Sequence, residues 1–215
     1  MSNDLSFIHR FEPGNRPEAP PLLLLHGTGG DENDLLPLGR SVAPGASLLS
    51  VRGQVLEHGM PRFFVRLAEG VFDEDDLRRR ANDLADFVEA ARRRYGIAAP
   101  VALGYSNGAN IAAAILLLRP QVLAGAILLR AMAPLAQPPQ PDLSGRPVLI
   151  VSGQYDPVVP ASTSTRLAAL LSDAGADVQN PILPAGHQLS QTDLTIARDW
   201  MTAVRTNLAE KTSAA

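Results

Sequence analysis

The most reactive pattern in the chain is the pentapeptide GYSNG at residues 104–108. It is a complete G-x-S-x-G, in which the serine stands at a sharp strand-to-helix turn and acts as a nucleophile. At ordinary frequencies of Gly and Ser, chance supplies this pattern in a chain of this length with a probability of roughly 0.07. Here an apolar run at residues 101–105 precedes the turn, and an alanine-rich helical segment follows it. This setting predicts a nucleophilic Ser106, with a helix-capping serine at an ordinary turn as the alternative.

A serine nucleophile at such a turn needs a histidine base and a carboxylate that orients it, in the chain order Ser, acid, His. His187 is the only histidine after Ser106, and it lies in the short PAGH segment at residues 184–187. Asp156 follows an apolar run that ends at Val151, so it is expected at the same sheet edge as Ser106. Three other acidic residues are interpreted as solvated surface groups, namely Asp173, Asp177 and Asp193. A triad of Ser106, Asp156 and His187 is therefore predicted.

Acyl transfer at a serine also needs hydrogen-bond donors for the oxyanion of the tetrahedral intermediate. One donor is expected from the backbone N–H of Asn107, the residue after the nucleophile. The second is expected from the N–H of Thr28, in the glycine-rich segment HGTGG at residues 26–30. Such a loop can instead hold a phosphate, but neither G-x-G-x-x-G nor G-x-x-x-x-G-K-[ST] occurs in the chain. His26 is expected to hold this loop by hydrogen bonding.

Short apolar runs alternate with helical patterns along most of the chain, which favours a mostly parallel sheet with helices on both faces. The predicted strands lie at residues 22–25, 47–51, 101–105, 123–129, 147–151 and 178–183, with an early edge strand near residues 5–12. The predicted helices lie near residues 32–40, 73–95, 107–118, 161–174 and 189–208. The stretch between residues 129 and 148 is too short for a helical lid, so no separate cap domain is expected.

Length and composition limit the possible classes of protein. The 215 residues fit one domain, assigned to residues 1–215, with a frayed tail at about 209–215. The net charge of −3 makes a nucleic-acid partner unexpected, and the absence of cysteine excludes thiol catalysis. No apolar segment approaches the roughly 18 residues needed to span a bilayer. A soluble, cytoplasmic protein is expected, which needs neither a metal nor an organic cofactor for the predicted chemistry.

Four segments in this order resemble the phospholipase/carboxylesterase family of small α/β-hydrolases, which includes the acyl-protein thioesterases. They read HGTGGDENDLLPLG, GYSNGANIAAA, SGQYDPVVP and AGHQLS, and the match runs over roughly residues 22–200. The segment at residues 51–77 looks more like the bacterial carboxylesterase branch, which includes hydroquinone-resistance hydrolases. The resemblance implies an α/β-hydrolase fold, the triad Ser106, Asp156 and His187, an oxyanion hole at Thr28 and Asn107, and a possible homodimer. The thioesterases usually carry an apolar residue in place of Thr28, which argues against their long-acyl specificity here.

The residues that contact substrate are harder to assign. Candidates on strand-end segments are Met60, Phe63, Phe64, Met132 and Val158, and core packing is an equally good interpretation of each. Arg52 and Arg130 each follow a predicted strand directly. They could meet an anionic substrate, but pairing with nearby carboxylates such as Glu57 or Glu69 is the favoured interpretation.

The sequence thus predicts a serine carboxylesterase that hydrolyses small carboxylic esters through an acyl-enzyme on Ser106. Acyl-thioesterase or lysophospholipase activity with the same triad is the alternative within the class, and perhydrolysis is a conceivable side reaction. A non-catalytic binding protein on the same fold is the alternative from another class. Such proteins often lose a triad residue, whereas this chain keeps all three.

Overall fold

The computed structural model of the chain describes residues 5–213, and the side chains of residues 5–206. The strands are β1 His9–Glu12, β2 Leu22–Leu25, β3 Leu48–Val51, β4 Val55–Glu57, β5 Met60–Arg62, β6 Arg66–Ala68, β7 Val71–Phe72, β8 Val101–Tyr105, β9 Gly125–Leu129, β10 Pro147–Gly153, β11 Asp177–Gln179 and β12 Ile182–Leu183. The helices are α1 Leu36–Val42, α2 Glu74–Tyr95, α3 Asn107–Leu118, α4 Ala161–Asp173 and α5 Gln191–Ser213.

Eight of these strands form one central sheet, in the order β1-β3-β2-β8-β9-β10-β11, with β12 also paired to β10. Neighbouring strands are parallel, except that the edge strand β1 runs antiparallel to β3. The strands β2, β3 and β9 are buried along their whole length. Apolar side chains that are buried on both faces explain why these strands read as continuous apolar runs.

Helices cover both faces of the sheet, and each face has its own apolar core. Side chains of α2, α3 and α4 pack into one core, with Leu77, Ile111 and Leu167 among the buried residues. Side chains of α1 and α5 pack into the other, with Leu36 and Trp200 among them. This arrangement confirms the predicted α/β-hydrolase architecture, a mostly parallel sheet between two helical layers.

Local sequence signals set the start of α1 and both ends of α2. α2 begins after Asp73, whose carboxylate accepts a hydrogen bond from the N–H of Asp76 at 3.0 Å, and it ends at Gly96 in the left-handed conformation. α1 begins later than predicted, at Leu36, with Pro37 in its first turn where a missing N–H costs nothing. The residues before it form turns, in which the Asp31 carboxylate accepts the N–H of Asn33.

Two parts of the chain differ from the predicted elements. Residues 52–72, which were expected to form a loop after β3, contain two small antiparallel hairpins, β4–β5 and β6–β7. The strand predicted at residues 178–183 is interrupted, because Pro181 has no N–H to donate to a neighbouring strand. Its two pieces, β11 and β12, each pair in parallel with β10.

The connection between β9 and β10, residues 130–146, contains neither a helix nor a strand. No helix among residues 5–213 combines the length and the apolar character needed to cross a membrane. The assignment of residues 1–215 to one domain stays a prediction. The tail predicted at 209–215 lies mostly outside the description, since side chains are described only to residue 206 and the backbone only to Ser213.

Candidate active site

Ser106 occupies a strained turn between β8 and α3. Its φ of 51° and ψ of −112° lie in a region that residues other than glycine rarely adopt. A Cβ on Gly104 would lie 2.6 Å from the carbonyl oxygen of Gly108, and one on Gly108 would lie 2.0 Å from that of Leu25. Only glycine fits at both positions, because the start of α3 packs directly against the end of β8 at Gly104 and against the end of β2 at Gly108. The turn therefore presents the Ser106 side chain at the carboxyl edge of the sheet.

The side chains of Ser106, His187 and Asp156 form one hydrogen-bonded chain. Nε2 of His187 lies 3.0 Å from Oγ of Ser106, and its Nδ1 lies 2.8 Å from Oδ2 of Asp156. The Asp156 carboxylate is fully buried, whereas the imidazole is 21% exposed. The imidazole thus sits between a carboxylate shielded from water and a hydroxyl that a substrate can reach.

Both oxygens of the Asp156 carboxylate have hydrogen-bond partners. While Oδ2 meets the imidazole, Oδ1 accepts the backbone N–H groups of Val158 at 2.8 Å and Val159 at 2.9 Å. The loop that carries Asp156 is joined to the histidine loop, because the N–H of Tyr155 donates to the carbonyl of Ala185 at 3.0 Å. These bonds leave the carboxylate little freedom to rotate away from the imidazole.

The predicted oxyanion donors lie beside this chain of side chains. Thr28, Ser106 and Asn107 line one cleft. Asn107 is the first residue of α3, where a backbone N–H has no partner within the helix. In the described part of the chain the N–H of Thr28 has no acceptor, while the next two N–H groups donate to Pro61 and Gly27. The two N–H groups that the sequence predicted are therefore free to meet an oxyanion.

His26 fixes the loop that carries Thr28. Its Nε2 accepts the N–H of Gly53 at 3.0 Å, and its Nδ1 lies 2.6 Å from the carbonyl oxygen of Gly27. Because a backbone N–H can only donate and a carbonyl can only accept, Nε2 must be unprotonated and Nδ1 protonated. Burial lowers the pKa of His26, against the opposing effect of the hydrogen bond to Gly27. The loop geometry thus requires the neutral imidazole.

The predicted substrate contacts divide into two groups. Met132 and Val158 line the cleft that contains Ser106. The assignment of Phe63 and Phe64 to the substrate pocket is wrong, whereas that of Met60 stays a prediction. Phe63 and Phe64 are buried in the core, against His26 and Phe72 respectively, because the first hairpin turns their rings inward. Met60 lies at the tip of that hairpin and is 41% exposed.

The predicted pairing of both arginines with carboxylates is confirmed, but the suggested partners are wrong. Arg52 pairs with Glu32, through Nε to Oε2 at 2.5 Å, and not with Glu57. Glu57 instead accepts from Arg62 and Arg66 on the two hairpins, at 3.1 Å and 2.9 Å. Glu69, the other suggested partner, is exposed at the edge of the cleft.

Arg130 pairs with Asp193, which the sequence had indicated to be a solvated surface group. The two side chains are 0% and 2% exposed, and Nη1 of Arg130 lies 2.7 Å from Oδ1 of Asp193. Asp193 stands in the first turn of α5 and also accepts the N–H and hydroxyl of Ser190. Burial alone would raise the pKa of Asp193, but hydrogen bonds from Arg130 and Ser190 outweigh it and hold that pKa below its ordinary value.

The same guanidinium holds the histidine loop on both sides of His187. Nε of Arg130 donates to the carbonyl of Gly186 at 2.8 Å, and Nη2 donates to that of Gln188 at 3.2 Å. The hydroxyl of Tyr105 donates to the carbonyl of His187 itself at 3.2 Å. Arg130 is therefore a positioning residue, since it fixes the loop that carries the imidazole without contacting the reacting atoms.

Sequence reasoning missed three polar residues of the site, namely Arg62, Asn110 and Asp193. Arg62 and Asn110 line the cleft with Ser106. Asn110 follows Ser106 by four residues, so the helical repeat was a usable signal that these two share a face. Nothing in the sequence pattern pairs Arg130 with a residue that lies 63 positions later.

The Arg130–Asp193 pair predicts the result of an Asp193→Asn substitution. Neutralising Asp193 leaves a buried guanidinium without a counter-charge, so the free energy of unfolding should fall by about 3–5 kcal/mol. The turnover rate should fall as well, since the His187 loop loses its anchor. Asp199→Asn is the matched control, because Asp199 lies on the same helix with its side chain 71% exposed. Urea unfolding that shows equal stability for the two variants would contradict the role given to this pair.

The buried neutral His26 predicts a dependence of stability on pH. Its folded-state pKa is lowered, so only the unfolded chain takes up a proton as the pH falls below about 6.5. The free energy of unfolding should therefore decrease below that pH, by up to about 1.4 kcal/mol per pH unit from this group. His26→Gln should reduce the slope, whereas His58→Asn, at an exposed histidine, should not. Identical slopes for wild type and His26→Gln would rule out this assignment.

The chain is similar in sequence and in fold to known proteins. The sequence profile of the phospholipase/carboxylesterase family matches residues 8–205. The chain is 48% identical over 194 residues to MhqD of Bacillus subtilis, named as a hydrolase, and the match spans 89% of this chain and 96% of that protein. The carboxylesterase of Bacillus cereus is 43% identical with a TM-score of 0.91, over 94% of this chain and 99% of that one. The carboxylesterase of Mesorhizobium loti is 35% identical with a TM-score of 0.88, over 93% and 96% of the two chains. The chain therefore belongs to the phospholipase/carboxylesterase family of α/β-hydrolases.

Proposed function

We propose that this protein is a serine carboxylesterase that hydrolyses small carboxylic esters through an acyl-enzyme on Ser106. The observation that carries the proposal is the continuous hydrogen-bonded chain from Ser106 through His187 to Asp156, with distances of 3.0 Å and 2.8 Å. The strained backbone of Ser106 supports it as well, because strain of this kind is kept where function requires it.

The proposed reaction has two acyl-transfer steps. His187 takes the proton of the Ser106 hydroxyl through Nε2 while Oγ attacks the ester carbonyl. The N–H groups of Thr28 and Asn107 stabilise the oxyanion that forms, and Asp156 stabilises the imidazolium. The imidazolium then protonates the leaving alcohol, and the acyl-enzyme remains. Water, deprotonated by the same imidazole, releases the carboxylic acid in the second step and restores the Ser106 hydroxyl.

The lining of the cleft supports a small substrate. Two arginine and two asparagine side chains line this cleft, so its wall is more polar than a pocket that binds a long alkyl chain. Small esters are therefore favoured over long-chain thioesters or lysophospholipids. Two of the structural relatives are carboxylesterases by name, which supports the same class of reaction.

The proposal predicts a large loss of activity in the Ser106→Ala variant. Hydrolysis of p-nitrophenyl acetate should fall by roughly 10⁴–10⁶-fold, because removal of the nucleophile leaves only oxyanion stabilisation and binding. A fluorophosphonate probe should label the wild-type protein once and the variant not at all. Ser41→Ala, which alters an exposed serine of α1, should keep both properties. Residual labelling of Ser106→Ala at the wild-type rate would place the nucleophile elsewhere.

A further inference from the structure

Two asparagine side chains at the start of α3 line the cleft, and backbone groups fix the orientation of each amide. Oδ1 of Asn107 accepts the N–H of Phe63 at 2.8 Å, and Oδ1 of Asn110 accepts the N–H of Met132 at 3.0 Å. A backbone N–H can only donate, so each amide must turn its oxygen toward that N–H. Both amides therefore direct their NH₂ groups away from these backbone segments.

Within residues 5–206 these NH₂ groups have no acceptor. Nδ2 of Asn107 is buried and has no hydrogen-bond partner within residues 5–206. Asn110 is 5% exposed, and among the described residues its side chain makes a hydrogen bond only through Oδ1. Buried donors nearly always find an acceptor, and a donor in the wall of a binding cleft can find one on a ligand. The NH₂ group of Asn107 is enclosed by the protein, whereas that of Asn110 can offer a donor to the contents of the cleft.

Arg62 adds a further donor group to the same wall. Its side chain is 4% exposed. Nε donates to the carbonyl of Phe64 at 3.3 Å, and Nη1 donates to Oγ1 of Thr28 at 2.9 Å and to Glu57 at 3.1 Å. Nη2 has no acceptor among the described side chains and backbone groups. A guanidinium has five N–H donors, so this one keeps unused donors where it lines the cleft.

Two guanidiniums of the cleft wall share the carboxylate of Glu57. Arg62 and Arg66 both line the cleft, and both pair with the single carboxylate of Glu57. The one carboxylate among the lining residues described, apart from the triad, is Glu69, which is exposed and free to turn into water. The wall of the cleft therefore holds two guanidiniums, those of Arg62 and Arg66, that share one counter-charge, the carboxylate of Glu57.

We infer that this cleft binds an acyl group that carries a hydrogen-bond acceptor, a carboxylate in particular. The inference rests on the proposed acyl-enzyme at Ser106. Asn110 stands one helical turn after Ser106, and its N–H donates to the Ser106 carbonyl at 3.0 Å, so the two share a face of α3. An acyl group bound to Ser106 lies next to Asn110. The preferred substrates are thus half-esters of short dicarboxylic acids, followed by esters of keto acids, rather than esters of alkanoic acids.

Three methyl esters of nearly equal shape test the inference. Methyl hydrogen succinate ends in a carboxylate, methyl levulinate in a ketone, and methyl 4-methylpentanoate in two methyl groups. We expect kcat/KM, measured by methanol release, to decrease in that order, with about ten-fold or more between the first and the last. Equal values for the three esters, or the reverse order, would overturn the inference.

Two variants connect the preference to the cleft. Asn110→Asp keeps an oxygen for the N–H of Met132 but replaces the NH₂ donor with a second oxygen. The ratio of kcat/KM for the succinate half-ester to that for methyl 4-methylpentanoate should therefore fall by about ten-fold or more. Arg66→Gln, at a side chain 33% exposed, should reduce the ratio of kcat/KM for the succinate ester to that for the levulinate ester. This variant is the second test if Asn110→Asp fails to fold. Arg94→Gln, at an exposed residue near the end of α2, should leave the ratios unchanged. A preference that survives both cleft variants would contradict the assignment.

Hydrolysis of p-nitrophenyl acetate separates this inference from the proposed function. The acetyl group is too short to carry an acceptor, so its hydrolysis reports on Ser106 alone. If wild type hydrolyses p-nitrophenyl acetate but does not discriminate among the three methyl esters, only the inference fails. If wild type neither hydrolyses p-nitrophenyl acetate nor reacts with a fluorophosphonate, the proposed function fails and the inference with it.

Discussion

The close contact between the start of α3 and the end of β2 is the constraint on which the site depends. It is possible only because residue 108 is a glycine, the matching contact of α3 with the end of β8 requires a glycine at residue 104, and Ser106 between them has a φ of 51°. The same contact places the first turn of α3 at the carboxyl edge of the sheet. The proposed nucleophile, the proposed oxyanion donor Asn107 and the cleft residue Asn110 all follow from it.

Buried polar contacts hold the other half of the site. Asp156 is fixed by two backbone N–H groups, and the loop of His187 is held through carbonyl groups by Arg130. Arg130 is itself neutralised by Asp193 at the start of α5. Both loops leave adjacent parts of the sheet, so the hydrogen bonds between them set the distance from the carboxylate to the imidazole. Asp156 and His187, 31 positions apart, and Arg130 and Asp193, 63 positions apart, are in this way fixed at hydrogen-bonding distance.

Elements that bury apolar runs could be predicted from the sequence. The helix at residues 107–118 was predicted with the bounds that α3 shows, because a glycine turn opens it and its apolar run is continuous. The hairpins β4–β7 could not be predicted, since their strands are two or three residues long and largely polar or exposed. Phe63 and Phe64 were wrongly assigned to the pocket because tertiary contacts, which no local pattern reveals, decide which rings are buried. The partners of Arg130 and Arg52 were missed for the same reason, whereas motif and chain order were enough to propose the residues of the triad.

The central claim is that Ser106 carries the acyl group during turnover. It is tested most directly by mixing the protein with an ester, quenching in acid within the first turnovers, and mapping the modified peptide by mass spectrometry. One acyl group on residue 106, absent when His187 is replaced by asparagine, is the predicted result. Ester hydrolysis that proceeds with no acyl group on Ser106, or with the acyl group on another residue, would contradict the claim.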